Sequence, residues 1–169
     1  MGDLDSSSGV DGRTFVGGNL KGGSSRYQQQ ASSDNRSRLA GLTVVGDVLG
    51  SSKKNLGQSG GAIVGGSVSG GFEFGSGSHA VRVGGRLGHT DNLSSHDVSS
   101  GLSASNPSFI QDLKQKKSLL QTSMSGLTYD LSQQEANSRL TVMGNRGTFN
   151  ARPDSQGVAV FNISASDLD

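Results

Sequence analysis

A short phrase recurs down the first 101 residues: a run of β-branched or aromatic side chains, a glycine, a polar residue and another aliphatic. It reads Thr14-Phe15-Val16-Gly17-Gly18-Asn19-Leu20, Thr43-Val44-Val45-Gly46-Asp47-Val48, Ala62-Ile63-Val64-Gly65-Gly66-Ser67-Val68 and Val81-Arg82-Val83-Gly84-Gly85-Arg86-Leu87. Met1-Gly2-Asp3-Leu4 has the form of the tail of one more copy. The first glycines stand at 2, 17, 46, 65 and 84, so the steps are 15, 29, 19 and 19. A step of 19 taken twice predicts stacked coils, a β-solenoid, and the step of 29 predicts one coil enlarged by a polar insert of about ten residues within residues 24–38.

Side chains alternate across a strand. Counting back from the first glycine places Val16, Val45, Val64 and Val83 inside, with Thr14, Thr43, Ala62 and Val81 sharing the interior. Leu20, Val48, Val68 and Leu87 return inward after the glycines, and Asn19, Ser67 and Arg86 face out. The outer column then reads Phe15, Val44, Ile63, Arg82, and its three apolar members need a cover. Residues 106–126 supply one. Phe109, Ile110, Leu113, Leu120, Met124 and Leu127 follow helical spacing, Asn106 suits an N-cap, Pro107 a first turn and Gly126 a stop. Three later segments read as strands closing the fold against the solenoid: Leu140-Thr141-Val142-Met143, Thr148-Phe149 and Val158-Ala159-Val160-Phe161-Asn162-Ile163. The expected architecture is mostly β, one domain over 1–169: solenoid coils over 1–101, a docked helix over 102–127 and closing strands over 128–169.

Composition agrees with a narrow core. Only 31% of the 169 residues are hydrophobic and 5% aromatic, yet the apolar residues concentrate in the repeats, and 23 of the 27 glycines lie in residues 1–101. A net charge of +1 gives no electrostatic drive toward nucleic acid or anionic membranes. There are no cysteines, hence no disulfides or thiolate metal sites. No stretch approaches the ~18 apolar residues of a membrane span. The first residues show no signal-peptide pattern.

The chain resembles the choice-of-anchor A family, an adhesive domain of bacterial surface and secreted proteins. The resemblance rests on Gly2-Asp3-Leu4, on Val10-Asp11-Gly12-Arg13-Thr14-Phe15-Val16-Gly17-Gly18-Asn19-Leu20, on the later Val-Gly-Gly copies, and on Val160-Phe161-Asn162-Ile163-Ser164-Ala165-Ser166-Asp167-Leu168, in the family's order. It implies an extracellular or cell-surface, noncatalytic adhesive module, with signal peptide and anchor outside this sequence. It carries no catalytic motif.

The residues themselves point the same way. His79, His89 and His96 lie in a Ser/Gly-rich stretch without zinc-ligand spacing and read as solvated loop histidines. Asp3, Asp5 and Asp11 lack the calcium-loop pattern and read as turn and capping residues. Polysaccharide cleavage needs paired carboxylates, and the repeats offer Asp47 and Glu73 singly. Ice binding would favour a threonine ladder; Thr14 and Thr43 align in the first-glycine register, but Ala62 and Val81 follow. No cofactor, metal or catalytic residue is expected. The candidate binding residues are Arg26, Tyr27, Arg36 and Arg38 in the insert, where an exposed tyrosine among arginines could meet an extracellular glycan or protein. The alternative is a self-assembling fibre subunit that pairs with copies of itself through the solenoid ends or a terminal strand.

Overall fold

The computed structural model describes residues 1–29, 40–57, 60–75, 77–144 and 146–164. In chain order its strands are β1 (Leu4–Asp5), β2 (Gly9–Val10), β3 (Thr14–Val16), β4 (Leu20–Lys21), β5 (Arg26–Tyr27), β6 (Leu42–Val44), β7 (Lys53–Leu56), β8 (Ala62–Val64), β9 (Gly71–Phe74), β10 (Ala80–Val83), β11 (Asp97–Ser99), β12 (Arg139–Met143) and β13 (Arg146–Asn150). Helix α1 (Leu102–Ser105) and the long α2 (Ser108–Ser132) precede the last two strands. The chain forms two compact units, Met1–Leu119 and Leu120–Asp169, with the boundary inside α2.

The first unit is a β-solenoid of about four turns with three parallel faces. One face runs β3-β6-β8-β10-β11, another β2-β5-β7-β9. The third joins β1 to β4 and continues as single bridges from Leu20 to Val48, Val68 and Leu87. The interior is stacked in columns: Val16–Val44–Val64–Val83 on the first face, Leu4–Leu20–Val48–Val68–Leu87 on the third, and Val10–Tyr27–Leu56–Phe74 on the second. Met1-Gly2-Asp3-Leu4 does end an extra coil, since Leu4 pairs with Leu20.

One coil is shifted by a residue from its expected register. Val44 is fully buried and pairs with Val16 and Val64, while Val45 is only half-buried. Thr14 therefore pairs with Leu42, and Thr43 joins the outer column of Phe15, Ile63 and Arg82. The physical reason lies at the corner. The glycines that stack are Gly18, Gly46, Gly66 and Gly85, and the N–H of each of the last three donates to the carbonyl of the glycine before it at 2.8–2.9 Å. After each comes a polar side chain that reaches to the next coil. Asp3 Oδ1 accepts the Asn19 N–H (2.8 Å), Asn19 Oδ1 the Asp47 N–H (2.8 Å), Asp47 Oδ1 the Ser67 N–H (2.6 Å) and Ser67 Oγ the Arg86 N–H (3.1 Å). These oxygens occupy the space where a Cβ would stand on Gly18, Gly46, Gly66 and Gly85. The repeated glycine-polar pair is thus a clamp between coils, and it satisfies corner N–H groups that the ladders leave open. The stack ends where Arg86 offers no acceptor. There α1 takes over: Ser103 donates its N–H and hydroxyl to Gly84 O, and Gly101 its N–H to Gly85 O.

A charge lies inside. Lys54 is fully buried, with Nζ donating to the carbonyls of Gly22 (2.8 Å) and Gly23. Burial lowers its pKa, and Asp5 acts in the opposite sense. Carbonyl partners replace water on the ammonium, which is how a lysine persists in so narrow a core.

Helix α2 begins two residues after Asn106 and runs six residues past Gly126, so residues 128–132 are helix rather than strand. Gly126 keeps a negative φ and is no αL stop; Thr128 Oγ1 donates back to Met124 O at 2.8 Å. Within the first unit Leu113 is buried, and its Cδ1 lies 3.4 Å from where a Gly65 Cβ would be; Ile110 stands over Gly84 in the same way. The helix's first turns therefore seat on glycine positions of the outer surface. In the second unit β12 and β13 pair antiparallel with each other, not with the solenoid. A two-residue connection opening on Gly144 (φ 59) makes the hairpin the local solution. Residues 158–163 belong to no strand ladder.

Candidate functional site

The second face of the solenoid carries a row of polar side chains. Its outward positions alternate with Tyr27, Lys54, Leu56, Phe72 and Phe74, which point inside. The register sets Arg26 opposite Asn55 and Asn55 opposite Glu73, three polar side chains on successive coils at ~4.8 Å spacing. Gln29, Gly57 and Gly75 border the row, and together they line an open groove of about 380 Å3. The glycines are required. A Cβ on Gly57 would stand 2.6 Å from Gln28 O, and one on Gly75 2.5 Å from Gly57 O. They leave a bare shelf beside the row. A guanidinium, an amide and a carboxylate in sequence offer donors, then both, then acceptors, the complement of hydroxyl groups spaced along a chain.

The sequence-derived candidates fare unevenly. Arg26 is exposed at one end of the row. Tyr27 is not exposed at all: it is fully buried, its hydroxyl accepts from Ser25 Oγ at 3.1 Å, and burial raises its pKa. It is a core residue of β5, one place along from Arg26, because alternation puts the two on opposite faces. Arg36 and Arg38 lie outside the described residues. Asn55 and Glu73, which share this face with Arg26, were not singled out from the sequence. The signal was available in the alternation of Lys53-Lys54-Asn55-Leu56 and Gly71-Phe72-Glu73-Phe74.

The histidines are more organised than a solvated loop. His96 Nδ1 accepts the His79 N–H at 3.1 Å, the two rings stack at 5.6 Å, and Phe74 packs against both. Burial and the neighbouring His79 lower the pKa of His96. The bond to Nδ1 is a structural use of the ring. His89 is exposed. Among the described residues no group of three or more His, Asp or Glu side chains is arranged to hold a metal ion. Asp3, as expected, is a capping residue: its bond from the Asn19 N–H and its pair with Lys21 (2.9 Å) lower its pKa. Asp47 is held in the corner ladder, and Asp97 pairs with Arg82, which lowers the Asp97 pKa. The outer column of the first face reads Phe15, Thr43, Ile63, Arg82, so Thr14 and Thr43 do not form even two rungs of a threonine ladder. Among the described residues no helix is long and apolar enough to cross a membrane.

The fold class is a parallel β-solenoid with a helix seated on one of its faces and a polar row on another. One family pattern matches all of residues 1–169. The chain belongs to the family described as "Putative Ice-binding-like adhesive domain". Comparison with curated proteins and with solved structures returned no match.

Proposed function

We propose that this chain is a noncatalytic adhesive module of the extracellular space or cell surface, and that it binds through the Arg26–Asn55–Glu73 row. The observation that carries the reading is the juxtaposition of that row with the Gly57–Gly75 shelf. A highly charged ligand would meet the wrong sign at one end of the row. A hydroxyl-rich chain finds a donor or an acceptor on every coil, which favours a glycan over a charged polymer. A protein ligand rich in hydroxyl and amide groups is the other member of this class. The likeness to choice-of-anchor A domains belongs to the same proposal and rests on the Val16-Gly17-Gly18-Asn19-Leu20 and Val160-Phe161-Asn162-Ile163 segments in their order.

Ice binding is disfavoured by the mixed outer columns, whose members differ in size and polarity from coil to coil. Catalysis is disfavoured by the structural employment of Asp3, Asp47 and Asp97, and of the His79–His96 pair. An array of glycans and matrix proteins tests the proposal. Retention of a hydroxyl-rich glycan, undiminished by EDTA and without cleavage products, is the expected outcome. Cleavage of a bound polysaccharide, or binding that needs a metal, contradicts it.

A further inference from the structure

In the second unit the segment 158–163 lies in no strand ladder and leaves backbone groups unbonded along one side. Around residues 158–160 the backbone is fastened on one side only. Val158 N–H donates to Asp154 Oδ1 (2.9 Å), and its carbonyl accepts from the Asp154 N–H (2.9 Å) and from Asn137 Nδ2 (3.0 Å). Val160 N–H donates to Asn137 Oδ1 (2.8 Å), and its carbonyl accepts the Ser138 N–H (3.1 Å). Bonding at 158 and again at 160, through a turn to Asp154 and through Asn137 and Ser138, occupies alternate residues on one side of the segment, the alternation that an added strand would complete on the other. Among the described residues the backbone groups of Ala159, Phe161 and Ile163, which belong to the opposite edge, make no hydrogen bond. Phe161 is anchored edge-to-face on Phe149 at 5.4 Å, so the segment is held in place. Beside it lies an open groove of about 730 Å3 whose other wall is Thr128, Leu131 and Ser132 of α2.

The chemistry defines the occupant as a strand. Free N–H and carbonyl groups at alternate residues are satisfied by an incoming β-strand, and the apolar wall takes its side chains. We propose that the incoming strand is residues 158–163 of a second copy, antiparallel to the first. Three features favour a copy. Identical edges meet across a two-fold axis, with Phe161 opposite Phe161 and Ala159 opposite Ile163, and both sets of backbone groups are satisfied at once. The six residues carry no charge, so two copies bring no like charges together. Edges not meant for pairing are commonly blunted by Lys, Pro or a bulge; this one has neither Lys nor Pro, whereas β12 and β13 each begin with an arginine.

Size sets the strength. A six-residue edge is ~20 Å long. Even with the flanking helix face, where Leu127 and Leu131 are more than half exposed, so short an edge is smaller than the ~1,200–2,000 Å2 interfaces of stable complexes and defines a weak, reversible pair. The pairing is independent of the polar row on the solenoid, and either can fail without the other.

Sedimentation velocity of the full chain over about 1–500 μM, the range that resolves such affinities, is the test. The expected result is a concentration-dependent monomer–dimer equilibrium. Phe161→Pro, which removes the edge N–H, should shift it at least tenfold toward monomer, while Val142→Lys on the hairpin leaves it unchanged. Because Phe161→Pro could disturb the Phe149 contact, Ala159→Cys/Ile163→Cys is the second variant. In this cysteine-free chain it should yield a covalent dimer under mild oxidation, whereas Val142→Cys should not. A monomer at every concentration, open-ended filaments, or a dimer lost with Val142→Lys and kept with Phe161→Pro overturns the proposal.

Discussion

At the scale of single residues the corner clamp decides the fold. Gly66 has no room for a side chain because Asp47 Oδ1 fills the space in order to reach the Ser67 N–H. Gly66→Ala should therefore destabilise the first unit by about 1–3 kcal/mol, the range for forcing an atom into packed space, read by chemical denaturation. Asp47→Ala leaves the Ser67 N–H without its partner and should cost roughly 1 kcal/mol, the lower range for a partly buried donor. If Gly66→Ala unfolds at the parental denaturant midpoint, the clamp is not as described. This clamp is also where the sequence reading slipped. Aligning the first glycine of each phrase put Val45 inside and Val44 outside. The glycine-polar pairs Gly18-Asn19, Gly46-Asp47, Gly66-Ser67 and Gly85-Arg86 are the true register marks. They were legible as a pattern, but only the reach of Asp47 to the neighbouring coil shows why they, rather than the first glycines, must stack.

At the scale of elements, α2 seats on the solenoid through Leu113 and Ile110 over Gly65 and Gly84. Leu113→Ala should cost about 2–5 kcal/mol, as for other buried leucines, whereas Leu119→Ala, at a 70% exposed position, should cost less than about 0.5 kcal/mol. Equal melting temperatures for the two variants would refute the seating. The helix was legible from its spacing. Its end was not, since a glycine stops a helix only when it adopts αL, and Gly126 does not. Two of the three terminal segments, around Leu140–Met143 and Thr148–Phe149, were legible as strands, whereas residues 158–163 join no ladder; the partners were not legible, because periodicity identifies a strand without naming its neighbour. The last coil adds a pH dependence. His96 accepts the His79 N–H through Nδ1, and an imidazolium cannot accept there. Its pKa is lowered from the ordinary 6.5, so the bond contributes stability that is intact above pH 6.5 and is lost as pH falls through the lowered value. The nearby Arg82–Asp97 pair stays ionised in this window, since the Asp97 pKa is itself lowered from 3.8. Thermal melts should be flat above pH 6.5 and fall below it, and His96→Asn, which keeps an acceptor that does not titrate, should flatten the fall. An equal acid response in that variant would place the effect elsewhere.

At the scale of the whole molecule, an adhesive domain needs a surface that is rigid before its ligand arrives, because ordering a loop on binding subtracts from affinity. The solenoid supplies this: Arg26, Asn55 and Glu73 stand on strands of one parallel face, and their spacing is set by the ladder. The sequence led to Arg26 through its insert rather than its strand. It placed Tyr27 on the surface because the short strand Arg26–Tyr27 lies apart from the repeated phrase and gives no alternation of its own. Only the pairing of Tyr27 with Leu56 and of Arg26 with Asn55 sorts the two. The proposed binding face is tested most directly by titrating the folded chain with the best hydroxyl-rich glycan from an array, the parent against Arg26→Ala/Asn55→Leu/Glu73→Leu, with melting temperature as the control for folding. The expected result is an unchanged melt and an affinity reduced at least tenfold, about 1.4 kcal/mol. Equal affinity of the two proteins for that glycan would contradict the assignment of the Arg26–Asn55–Glu73 row as the adhesive face.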